Sequence, residues 1–109
     1  MTRKDLEVLA EKYQKKADTA YRNFQETGIS RYDNERRKNE DLAEAMRMAA
    51  AASDDHHALV HLRGSMANLA AEAKRIEYIP EDQKLVVLEA LRKRVLVYAT
   101  LSGVAHDLS

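Results

Sequence analysis

The sequence predicts an all-α protein, an antiparallel bundle of about four helices over residues 3–27, 31–52, 54–78 and 80–102. Three observations predict it. One Pro and three Gly in 109 residues lie far below the average usage of about 5% and 7%. Apolar residues recur at alternating steps of three and four, the spacing of one helix face. The residue types that start and stop helices stand at the ends of those periodic segments.

The first helix is expected over 3–27. Thr2 stands as N-cap, with Asp5 three residues on in the place of a capping-box acid. Leu6, Ala10, Tyr13, Ala17, Ala20 and Phe24 form its apolar stripe, widened by Leu9 and Tyr21. Gly28 follows where a left-handed residue closes a helix. The short turn Gly28-Ile29-Ser30 folds the next helix back antiparallel, with Ser30 as its cap. Residues 31–38 are polar apart from Tyr32 and read as a solvated end. The stripe then runs Leu42, Ala45, Met46, Ala49, Ala52. Its small residues permit close approach of a neighbour, although Ala's rank as the best helix former is reason enough for them.

A break is expected near Ala52 to Asp54, because the apolar phase slips there by one residue. The downstream stripe is Leu59, Leu62, Met66, Leu69, Ala73, Ile76. Ser53 followed by Asp54 and Asp55 offers a cap and two acids at the positive end of the helix dipole. Without the break, the second and third helices would form one rod needing a dimer to cover it. Gly64 lies inside the third helix and joins Ser65, Ala67, Ala70 and Ala71 in a small-residue surface. Pro80 bars helical geometry at Ile79 and serves as the first residue of the fourth helix.

That fourth helix is the most apolar segment. Between Leu85 and Ala99 the charged residues are Glu89 and the cluster Arg92-Lys93-Arg94. A helix apolar on most sides wants partners on most sides. It is therefore expected at the centre of the bundle or at a dimer seam. Leu85, Leu88, Leu91, Val95 and Tyr98 are taken as its inner stripe, with Val86, Val87, Leu96, Val97 and Leu101 on the flanks. Gly103 is the expected stop, and 104–109 a flexible tail. A strand over 95–101 is rejected because no other segment offers a partner strand. The helices are too long for tetratricopeptide repeats.

Composition excludes several functions. The chain has no Cys, hence no disulfide framework and no thiolate chemistry. Eighteen basic residues balance eighteen acidic ones, so net charge steers toward neither nucleic acid nor an acidic ligand. The opening residues run straight into charge rather than a secretory leader. No apolar run approaches the ~20 residues of a membrane span. A single cytoplasmic domain over 1–109 is expected, of a size and balance that suit a phage or mobile-element accessory protein.

Three features bear on function. His57 and His61, at i and i+4, share a helix face beside Asp54 and are the metal candidates. They lack a third ligand and an intervening catalytic Glu, so an exposed helix start is the better reading. The basic clusters 36–38, 74–75 and 92–94 are candidate nucleic-acid contacts. Each has acids close by, and neighbours on a helix fan out by about 100°, so solvated faces are preferred. No catalytic residue, cofactor site or cofactor is assigned. The expected function is a self-associating adaptor or regulatory module that binds itself as a homodimer and another protein. Leu96, Val97, Leu101, Arg92, Arg94 and Tyr98 are the expected interaction residues.

Overall fold

The computed structural model describes residues 1–75 and 80–109, except for the side chains of Val86, Val87, Glu89, Ala90 and Leu91. The sequence expectations that fall on residues 76–79 and on those five side chains lie outside the described residues. Four helices make up the fold: α1 (Arg3–Thr27), α2 (Ser30–Ala50), α3 (Asp55–Arg75) and α4 (Lys84–Leu108). Helix accounts for 90% of the described chain, without a strand.

The start and stop of α1 follow its sequence signals. The Asp5 carboxylate accepts the Thr2 backbone N–H at 2.8 Å, satisfying a donor that has no helical partner. Gly28 takes a φ of 68° and donates its N–H to the Phe24 carbonyl at 2.7 Å. Leu6, Ala10, Ala17 and Ala20 are buried as the stripe predicts.

Among the described residues α2 is the central helix, because it packs on α1, α3 and α4, and α1–α2 is the most extensive pair. Of the two places expected for the fourth helix, the bundle centre and a dimer seam, the first is taken by α2 instead. The cause lies in the small stripe. Ala43 and Ala49 are fully buried and Ala45 and Ala50 nearly so, around Leu42 and Met46. Short side chains let neighbours close in from both sides. Ala here therefore serves packing as well as propensity. Ser30 does not cap α2; it lies within the first turn, and Ile29 precedes it in extended geometry.

The break falls at residues 51–54, where the phase slip placed it. Its cap is Asp54 rather than Ser53: the Asp54 carboxylate accepts the His57 N–H at 2.8 Å. The start of α1 pins this corner. The Arg3 guanidinium donates to the carbonyls of Ala50 and Ala52, and the Arg3 backbone N–H donates to the Asp55 carboxylate at 2.8 Å. Carbonyls at a helix end lack helical donors, and Arg3 supplies them from a distant part of the chain. Gly64 is exposed, with nothing described within 4 Å of where its Cβ would stand, so close packing is not its role.

Pro80 does not open the fourth helix. It precedes a 3-10 turn over Glu81–Gln83, in which the Gln83 N–H donates to the Pro80 carbonyl at 3.0 Å. At the other end, Gly103 does not stop the helix and 104–109 is not a tail. Val104, Ala105 and Leu108 are buried and extend the core stripe begun by Val97 and Leu101. That burial carries the helix through a residue costing about 1 kcal/mol relative to Ala.

The assembly is flat, with Cα extents of 45 × 35 × 17 Å. Its radius of gyration is 15.0 Å, against about 13 Å for a compact domain of this length.

Candidate interaction surface

Among the described residues, α4 carries apolar side chains on two sides, and one of those sides is covered. At 100° per residue, Val97, Leu101, Val104, Ala105 and Leu108 fall on one arc and face the core. The opposite arc carries Leu85, Leu88, Arg92, Val95, Ala99 and Ser102, at steps of 3, 4, 3, 4 and 3. All six are exposed. Leu85 is 83% exposed, Leu88 52% and Val95 57%. Leu96 and Tyr98 flank the stripe, also exposed. A shallow groove joins it to α3, lined by Leu69, Ala70 and Ala73 on one side and by Arg94, Val95 and Tyr98 on the other. A sustained 3-4 spacing on a solvent face is the pattern of a helix–helix seam.

The inner stripe expected from the sequence is thus largely the outer one. Leu85, Leu88, Val95 and Tyr98 face solvent, whereas Val97 and Leu101, expected at an intermolecular interface, are 2% and 1% exposed and belong to the chain's own core. The missed signal was the run Val104, Ala105, Leu108, which completes the Val97–Leu101 stripe once the helix continues past Gly103. Of the six expected interaction residues, Leu96, Tyr98 and Arg92 lie on the exposed side.

Arg94 is an internal tie. Its Nη1 donates to Asp41 Oδ2 at 2.7 Å, and its Nε lies 3.4 Å from Glu72. It joins α4 to α2 and α3. Lys93 donates to Glu35 Oε1 at 2.8 Å, and this bond is the largest cause holding the Glu35 carboxyl below its ordinary pKa. Asp41 moves the other way. Burial raises its pKa, and the acids Glu44, Glu72 and Glu40 add to that; together they outweigh Arg94 at 2.7 Å.

The basic cluster 36–38 is also matched by acids. Arg36 bonds Asp33 and Glu40 at 2.7 and 2.9 Å. Arg37 lies 3.3 Å from Asp33, and Lys38 3.0 Å from Glu35. Arg36 also stands 5.7 Å from the Tyr21 ring centre. Lys74 and Arg75 end α3, exposed. These pairs disperse positive charge instead of aligning it along a phosphate track.

His57 and His61 are exposed at the start of α3. His57 Nδ1 lies 2.8 Å from Asp54 Oδ1. The Asp54 pKa is lowered, first by the His57 backbone N–H and then by its ring. Asp54 is thereby engaged in capping the helix. Among the described residues no group of three His, Cys, Asp or Glu gathers at metal-binding range, and no helix is long and apolar enough to cross a membrane.

The surface as a whole exceeds that of a compact monomer. The chain exposes 7339 Å², against about 6,100 Å² expected for its 12.4 kDa. The excess, roughly 1,200 Å², is larger than the ~800 Å² that each partner buries in a standard protein interface. No family model matches the chain, and no curated protein or solved structure matches it.

Proposed function

We propose that this protein is a small cytoplasmic helical interaction module, an adaptor or regulator, that self-associates through the outer face of α4. One observation carries the reading: a 3-4 stripe of exposed Leu and Val lies diametrically opposite the helix's core stripe. Contiguous apolar patches of this kind are uncommon on monomeric soluble proteins and mark interaction sites. Arg92 lies on the stripe itself and is exposed, while its two basic neighbours turn away from it. Arg94 and Lys93 are bound inward to Asp41 and Glu35, which leaves the outer arc mainly aliphatic.

Sedimentation at micromolar concentration tests this. The expected mass is twice the 12.4 kDa of the chain, falling to 12.4 kDa in Leu88→Glu with helix content unchanged. A wild-type protein that sediments as a monomer refutes it. Val97→Glu is the contrasting variant: a carboxylate at a core position unfolds the chain rather than dissociating it.

A further inference from the structure

The outer stripe of α4 is graded in size along its length. Leu85 and Leu88 stand at its N-terminal end, and Ala99, Ser102 and Gly103 at its C-terminal end. All five are exposed, with Arg92 and Val95 between them. We infer that the occupant of this face is the α4 of a second copy, lying antiparallel across a two-fold axis between Arg92 and Val95. This rests on the proposed self-association and specifies its geometry.

Symmetry separates the two arrangements. A two-fold axis parallel to the helices sets each residue beside its own copy. Leu85 would then meet Leu85, and Gly103 would meet Gly103. The helices would be held apart at one end with a void at the other. Arg92 would face Arg92 inside the seam, two like charges at one level. A perpendicular axis instead sets Leu85 beside Ser102, Leu88 beside Ala99 and Arg92 beside Val95. Both leucines then face a small residue and Arg92 a shorter one, so the helices keep one spacing along the seam. The Arg92 stem lies along the partner's Val95 while its guanidinium reaches solvent. The helix dipoles also oppose, which favours antiparallel packing.

The native chain has no Cys, so cysteine cross-linking reads the geometry directly. Four single variants are made: Leu85→Cys, Ser102→Cys, Leu88→Cys and Ala99→Cys. Each is first sized under reducing conditions, then oxidised alone and in pairs. The expected result is a disulfide dimer in the Leu85→Cys plus Ser102→Cys mixture and in the Leu88→Cys plus Ala99→Cys mixture. Leu85→Cys and Ser102→Cys do not link to themselves, because in this arrangement their copies lie about 25 Å apart along the axis, beyond the ~7 Å Cα limit of a disulfide. Self-linking of Leu85→Cys and of Ser102→Cys means a parallel seam; it overturns this inference and leaves self-association standing. Reduced dimers that link in no combination place the seam elsewhere and overturn the inference. Reduced variants and wild type that are all monomeric defeat the self-association itself.

Discussion

Leu101 and Leu88 sit on one helix and differ in which side of it they occupy, so truncating each to Ala separates folding from association. Leu101 is 1% exposed, and the α4 and α2 residues around it form one core. A buried Leu→Ala change loses the transfer free energy and leaves a cavity, about 3–5 kcal/mol. Leu88 is 52% exposed, so its truncation within one chain costs at most about half the burial of a Leu, roughly 0.75–1.5 kcal/mol. Its remaining effect appears when a second copy covers it. Full burial of a Leu contributes about 1.5–3 kcal/mol, and about half of that remains to be gained on association. Two copies per dimer then give roughly 1.5–3 kcal/mol, a ten- to hundredfold weaker dimer. Urea unfolding at low and high protein concentration, with sedimentation equilibrium beside it, measures both effects. Leu101→Ala is expected to lower the midpoint at every concentration. Leu88→Ala is expected to move the concentration dependence to about ten- to hundredfold higher protein concentration, while lowering the dilute midpoint much less than Leu101→Ala does. A dilute-limit loss of equal size in the two variants would refute the assignment of faces.

Arg3→Ala removes the donors that Ala50 and Ala52 carbonyls receive and is expected to lower unfolding stability by about 1.5–3 kcal/mol in urea titration, the range of bonds to a charged donor. Gly28→Ala forces a Cβ into left-handed geometry at φ 68° and costs about 1 kcal/mol; Gly64→Ala, in open space within a helix, raises the thermal midpoint by gaining about 0.5–1 kcal/mol. Asp41 has a raised folded-state pKa, so its contribution is fully present below the ordinary value of 3.8 and is lost as pH rises through the raised value. Asp41→Asn is therefore expected to gain stability relative to wild type between about pH 3 and pH 7, read as the difference in urea midpoints at the two ends; a relative loss over that window would refute the balance in which burial outweighs Arg94.

Several elements needed nothing beyond their own residues. Thr2 with Asp5 fixed the start of α1 and Gly28 its end, because caps act within one turn of backbone. The slip of apolar phase between Ala52 and Leu59 marked the corner between α2 and α3, since a stripe one residue out of register cannot face the same neighbour. The stripes of α1, α2 and α3 were legible because each helix has one dominant apolar arc. The fourth helix has two, and periodicity does not rank them. The choice of Val97 and Leu101 for the core, and of Leu85, Leu88 and Val95 for the outside, depends on where α2 and α3 lie. The passage of α4 through Gly103 likewise follows from the burial of Val104, Ala105 and Leu108, a gain no local propensity records. Arg3 on the carbonyls of Ala50 and Ala52, and Arg94 between Asp41 and Glu72, are contacts between residues distant in the chain. Charge pattern announces that such residues will find partners, and only the packing of the helices decides which ones.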